Sequence, residues 1–138
     1  MAIRLQNVRP MLADLPDAEI CTVLVAENDE GLRSAVATVL ESDGFATLRA
    51  SNVSDAVAML AAFRPDFVLL DLGLLPGSDH DLRPLKGNDL RLSSVPVIAM
   101  SGNPRARIPS GATALLRKPF NLDEFLRVIS AQVSPSAA

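Results

Sequence analysis

Short apolar runs of strand length, each followed by a segment with helical spacing, constrain this chain more than any other feature. The first, ICTVLVA from Ile20 to Ala26, is continuous and ends in the polar cluster Glu27, Asn28, Asp29 and Glu30. FATLRA (Phe45–Ala50), DFVLLD (Asp66–Asp71), VPVIAM (Val95–Met100) and ALLR (Ala114–Arg117) complete a set of five. Most are apolar at consecutive rather than alternate positions, which a strand needs when both faces of its sheet are covered. A parallel sheet between helical layers follows, so the fold class is α/β with three layers.

The intervening segments carry helical signals of unequal strength. Leu32, Val36, Val39 and Leu40 repeat at helical spacing after Asp29 and Glu30, which favour a helix start, and Gly44 supplies the stop. Ser54 is expected to cap a second helix with Val57, Leu60 and Ala61 on its apolar face and Pro65 at its end. A last helix is predicted from Asn121, with Glu124 three residues on and Leu122, Phe125, Leu126 and Ile129 facing inward. The third helix meets Pro84 and Gly87, both unfavourable in a helix interior, and is expected to be short, broken or displaced. Between Ser101 and Gly111 only nine residues remain, with Pro104 and Pro109 among them, so the fourth helix is expected to be vestigial.

The 138 residues suit one core, expected over residues 20–133, with 1–19 as an N-terminal extension and 134–138 as a short tail. In the extension Met11, Leu12 and Leu15 fit one face of a short helical turn. Hydrophobic residues make up 49% of the chain without any Trp or Tyr, so the core must be aliphatic. A net charge of −3 without clustered cations offers no footprint for nucleic acid. No apolar stretch approaches the roughly 18 residues of a membrane span, and MAIRLQNVRP lacks the apolar region of a secretory signal, so no membrane role and a cytoplasmic location are expected. Cys21, the lone cysteine, reads as a small buried residue, and His80, the lone histidine, as a loop residue without metal-ligand spacing.

In an open parallel α/β sheet, ligands bind beyond the carboxyl ends of the strands. Those ends carry Glu27 and Asn28, Asp71, Ser101 and Lys118: acids, a hydroxyl and an amine. These residues also carry a family resemblance. VLVAENDEGLR resembles the acidic motif of the receiver domains of two-component response regulators, PDFVLLDLGLLPG their phosphoacceptor motif, VPVIAMSG their hydroxyl motif and GATALLRKPFNLDEF their Lys-Pro motif. The four occur in the family's order and span about Thr22 to Val133.

The resemblance implies a flavodoxin-like fold with strand order 2-1-3-4-5. It further implies that Asp71 accepts a phosphoryl group from a histidine kinase or phosphotransfer protein, with no enzyme turnover beyond self-phosphorylation and self-dephosphorylation. Glu27, Asn28, Asp71 and the Gly73 carbonyl would hold Mg²⁺, a hard cation that prefers oxygen. Lys118 would pair with Asp71 or with a phosphoryl oxygen, and the Ser101 hydroxyl would donate to another. Pro119 matches the proline that follows a cis bond in the family, which would aim Lys118 into the site. With five residues after the last helix, a stand-alone member signalling by protein contact is expected.

Three positions depart from the family pattern. Asn28 replaces the second acid and brings no charge, so Mg²⁺ is expected to bind weakly. Leu115 stands where an aromatic residue usually turns inward, and a signal would then pass through the Ser101 loop or the shortened region after it. The DLGLLPG loop carries one residue more than the family's usual length. These departures leave open a pseudo-receiver that binds partners without phosphorylation. An Asp-nucleophile phosphohydrolase fits less well, since Gly73 stands where its second Asp belongs. A flavodoxin-like cofactor binder would need a Ser, Thr and Gly loop after the first strand, where this chain is acidic.

Overall fold

A computed structural model describes residues 20–76, 82–86 and 94–133 of the chain. In chain order the elements are β1 (Thr22–Ala26), α1 (Glu30–Ser42), β2 (Ala46–Ala50), α2 (Val53–Phe63), β3 (Phe67–Asp71), a 3₁₀ turn (Leu72–Leu74), α3 (Arg83–Lys86), β4 (Val97–Ser101), β5 (Ala114–Arg117) and α4 (Leu122–Val133). The five strands are parallel and ordered β2-β1-β3-β4-β5, the flavodoxin-like order that the resemblance implies. The readings of residues 1–19, His80, Gly87 and the tail 134–138 lie outside the described residues.

Strand side chains alternate between faces with a period of two, and this period divides the core. Leu24, Ala26, Val68, Leu70, Val97 and Ala99 point to one face, where they pack with Ala56 and Leu60 of α2 and Leu85 of α3. Val23, Val25, Phe67, Leu69, Ile98, Met100 and Leu116 point to the other, against Val36 and Leu40 of α1 and Phe125, Leu126 and Ile129 of α4. Burying a side chain of this size is worth about 1.5–3 kcal/mol.

Local chemistry fixes the helix ends. Asp29 caps α1 by accepting from Leu32 N at 3.1 Å. Gly44, at φ 94°, takes the left-handed turn after α1, a conformation that costs glycine no Cβ clash. Asn121 caps α4 by accepting from Glu124 N at 2.7 Å.

Four sequence expectations need correction. Asn52, not Ser54, caps α2, accepting from Asp55 N at 2.7 Å; the helix begins one residue before Ser54, which therefore lies inside it. Ala61 is exposed and Ala56 takes the inward position, because the buried stripe of α2 runs through Ala56 and Leu60 at a spacing of four. Leu122 is 54% exposed, since it opens α4 ahead of the turn that meets the sheet. Cys21 is half-buried, one residue before β1 begins; burial and the Asp66 carboxylate push its thiol up, away from the reactive thiolate.

Among the described residues both weak connections hold little helix. α3 is a single turn with Pro84 at its second residue, within the first turn, where a missing N–H leaves no helical bond unmade. Residues 102–113 contain no helix. The extra residue of the DLGLLPG loop lies in a segment wound into the 3₁₀ turn, closed by Leu75 N donating to Leu72 O at 3.1 Å, with Leu72 and Leu75 both buried.

Candidate functional site: a carboxylate and lysine cluster at the strand ends

The pleat that orders the core also assembles the site. Glu27 continues the series Val23 and Val25, Asp71 the series Phe67 and Leu69, and Lys118 follows Leu116 at the same spacing of two. All three therefore leave the sheet at its carboxyl edge on the face covered by α1 and α4. β1 and β3 are neighbours in the sheet, which sets the two carboxylates side by side.

Glu27 is 1% exposed and Asp71 8%. Such burial is costly for ionised carboxylates unless they are paired. The pairing comes from Lys118, whose Nζ donates to Glu27 Oε1 at 2.7 Å and lies 3.5 Å from Asp71 Oδ1. The resemblance pointed to Asp71 as the lysine's partner; here Glu27 is the nearer of the two. Glu27 Oε2 accepts from Asp29 N at 3.1 Å. Burial pushes the Glu27 carboxyl above its usual range, Lys118 and the Asp29 N–H pull it back, and the Asp71 charge pushes it up again. The Lys118–Pro119 bond is cis, as the matching proline implied.

Gly73 closes tightly on the acid: its N–H donates to Asp71 Oδ1 at 3.0 Å. A Cβ there would stand 3.4 Å and 3.5 Å from the two carboxylate oxygens, at the edge of ordinary contact. Ser101 is not an appendage after β4 but its last residue, 5% exposed. It falls on the pleat of Val97 and Ala99, opposite to the one that carries Glu27, Asp71 and Lys118. Its hydroxyl accepts from Asn103 N at 3.0 Å, while its carbonyl accepts from Lys118 N at 2.7 Å and so ties the lysine's backbone to β4. Asn28 is exposed at the rim. The structure thus gathers Glu27, Asp71, Gly73 and Lys118 closely, turns the Ser101 hydroxyl to its own loop and leaves Asn28 facing solvent.

One participant was not singled out from the sequence. Arg33 of α1 reaches back to donate from Nη1 to the Glu27 carbonyl at 2.8 Å, bracing the loop between β1 and α1. Its signal was the placement of an arginine one turn into the helix that follows the acidic motif. Leu115, in the place of the usual aromatic residue, is half-buried and packed against the core on the α2 face.

The residues that the resemblance assigns to a metal offer oxygen alone: the Glu27 and Asp71 carboxylates, the Gly73 carbonyl and the amide oxygen of the exposed Asn28. Each ionised carboxylate keeps lone pairs beyond those used by Lys118 and the backbone N–H groups. This chemistry fits a hard divalent cation and excludes a soft one.

Comparison with known proteins agrees with this geometry. A family model described as the response regulator receiver domain matches residues 23–130. The KDP operon transcriptional regulatory protein KdpE of Escherichia coli is 32% identical over 125 residues, which cover 84% of this chain and 54% of that protein. The chain thus spans about half the length of that relative. Among solved structures, the non-phosphorylated HemR receiver domain from Leptospira biflexa superposes with a TM-score of 0.70 at 28% identity, covering 83% of this chain and 94% of that one. The receiver domain of a sensor histidine kinase from Pseudomonas aeruginosa, with a magnesium ion coordinated in its active-site cleft, gives 0.72 at 22% identity, over 83% of this chain and 98% of that one. With the strand order, the strand-end cluster and the match over 23–130 in agreement, this chain belongs to the response regulator receiver domain family.

Proposed function

We propose that this domain serves phosphorelay signalling by accepting a phosphoryl group on Asp71 from a histidine kinase or phosphotransfer protein and signalling by protein contact. The observation that carries the reading is the Lys118 ammonium held between two buried carboxylates at the carboxyl edge of the sheet. In the transfer, a carboxylate oxygen of Asp71 forms a bond to phosphorus as the bond from phosphorus to the donor's imidazole nitrogen breaks, and the imidazole leaves with the electron pair. The protein contributes position and charge more than covalent chemistry.

Lys118 screens the charge that accumulates at Asp71, and Gly73 N fixes the orientation of its carboxylate. Ser101 Oγ accepts from Asn103 N and keeps its O–H to donate, but it leaves the sheet on the pleat opposite Asp71, so reaching a phosphoryl oxygen requires its loop to move. Glu27, Asp71, the Gly73 carbonyl and Asn28 are the residues that would hold Mg²⁺, which when bound neutralises charge between carboxylates and phosphate. The magnesium of the Pseudomonas neighbour supports this assignment. No catalytic turnover beyond phosphorylation and dephosphorylation of the chain itself is proposed, and the working compartment is the cytoplasm.

A second reading, a pseudo-receiver that binds partners without phosphate, is favoured by the neutral Asn28 at the rim and by the already packed Leu115. Incubation with Mg²⁺ and acetyl phosphate, followed by intact mass, separates the two. Gain of one phosphoryl group by the parent but not by Asp71→Asn is expected; no gain by the parent selects the pseudo-receiver.

A further inference from the structure

Glu27 is held at every polar atom it has. Its N–H donates to Ala50 O at 3.0 Å, Oε1 accepts from Lys118 Nζ at 2.7 Å, Oε2 from Asp29 N at 3.1 Å, and its carbonyl from Arg33 Nη1 at 2.8 Å. Three of these partners have a reason to be in place: Ala50 ends the neighbouring strand, Lys118 neutralises the buried acids, and Asp29 caps α1. The arginine requires another.

Arg33 is the fourth residue of α1, in the turn whose positive dipole end disfavours a cation. Asp29 and Glu30 precede it by four and three residues, the spacings at which an acid pairs with a helical arginine. Neither forms an ion pair with it; among the described residues the half-buried Arg33 side chain bonds the Glu27 carbonyl alone. A guanidinium that passes over two adjacent acids for a neutral carbonyl serves the backbone rather than charge balance. That carbonyl belongs to the planar peptide unit whose other end is the Asn28 N–H, so the bond that fixes it also fixes the direction in which the chain enters Asn28. Asn28 is exposed, and its side chain makes no hydrogen bond among the described residues. Its placement beside the acids therefore comes through the backbone.

We infer that Arg33 is a positioning residue for the metal-holding group: by gripping the Glu27 carbonyl it orients the peptide that presents the Asn28 amide oxygen beside the Glu27 and Asp71 carboxylates. The inference rests on the reading that these oxygens hold Mg²⁺. Arg33 is not itself a ligand, since a guanidinium offers donors and no acceptor. Charge and position predict effects of opposite sign. A nearby cation repels a metal ion, so loss of Arg33 would tighten Mg²⁺ binding if charge were its whole contribution. Loss of the bond to Glu27 frees the peptide and weakens binding, as removal of a group that orients a ligand does. The sign of the change identifies the role.

The test uses the full chain and Mg²⁺ alone, without a phosphodonor, with binding read by calorimetry. Arg33→Met keeps an apolar stem and donates nothing; it is expected to weaken Mg²⁺ binding about tenfold. Arg33→Lys keeps a charge and a donor and is expected to stay within about threefold of the parent. In the metal-free chain, Arg33→Met should shift the amide signals of Asn28 and Asp29 while those of β3 stay in place, which also shows the fold intact. Acetyl phosphate adds a kinetic readout: the Mg²⁺ concentration giving half the maximal rate of phosphorylation should rise about tenfold, with the rate at saturating Mg²⁺ within about twofold of the parent. Equal or tighter Mg²⁺ binding by Arg33→Met, an equal loss in the lysine variant, or a lower saturating rate at unchanged Mg²⁺ dependence would each overturn the inference and leave the metal-holding reading standing. No Mg²⁺ binding by the parent would overturn both.

Discussion

The two halves of the sheet are built to different standards. β1, β2 and β3 are flanked by the 13-residue α1 and the 11-residue α2, and every residue of β3 is buried, as is every residue of β4. Among the described residues, β4 and β5 meet the 12-residue α4 on one face and, on the other, Leu85 of the four-residue α3, and β5 has only four residues, three of them partly or fully exposed. The site lies across the seam: Glu27 and Asp71 come from the first half, Ser101 and Lys118 from the second. The half covered by two full helices thus holds the buried acids, and Ser101 and Lys118 come from the half with less helix among the described residues. Strong packing suits a position that must not move, while sparse packing lowers the cost of rearrangement.

Substitutions can break or sharpen this contrast. The largest expected effect belongs to the first half: Leu60→Ala, in a fully buried position on α2, should cost about 3 kcal/mol in urea unfolding. A loss below 1 kcal/mol would mean that the first half is not the better packed one.

At the seam, Lys118→Met should cost about 2 kcal/mol at pH 8 and much less near pH 5. The sign follows from Glu27. Its carboxyl lies above its ordinary value of 4.5 in the folded chain, chiefly through burial, so its protonated form favours the fold. That stability is present below 4.5 and is lost as pH rises through the folded value. Removing Lys118, which pulls the value down, moves the loss to higher pH and deepens it. Urea melts of parent and variant at the two pH values supply the check, and a pH-independent difference would contradict it.

Asn28→Asp restores a charge at the rim and should tighten Mg²⁺ binding about tenfold, or about 1.4 kcal/mol by calorimetry. Equal affinities would remove Asn28 from the metal-holding group. The smallest effect is expected in the second half, where Leu115→Ala should cost about 1 kcal/mol or less because the side chain is only half-buried. If this loss equalled that of Leu60→Ala, the contrast between the halves would fail.

Much of this arrangement was legible in the sequence, for a definite reason. Continuous apolar runs can be satisfied only by burial on both faces, so the five strands announce themselves, and a chemistry-bearing residue at the end of such a run has few places to go. Among the described residues, the four-residue length of α3 and the missing helix after Ser101 were legible too, since proline and chain length act locally. Less legible were choices between near-equivalents. Asn52 and Ser54 are both good caps, and which one serves depends on where the helix axis meets the sheet. Leu122 is as apolar as Phe125, and only the position of α4 against the sheet shows that the first is left in solvent.

By itself, then, the sequence determined the α/β class, the five strands and the acids, hydroxyl and amine at their ends, because periodicity and composition are properties of the chain. Only the tertiary structure decided the partners. Lys118 lies 91 residues from Glu27 in sequence, yet bonds it more closely than it approaches Asp71. No local rule ranks those two carboxylates; the sheet does, because strand order and the two-residue pleat fix which oxygen stands within reach of the ammonium. The same geometry turns the Ser101 hydroxyl toward Asn103, since the pleat carries it away from the acids.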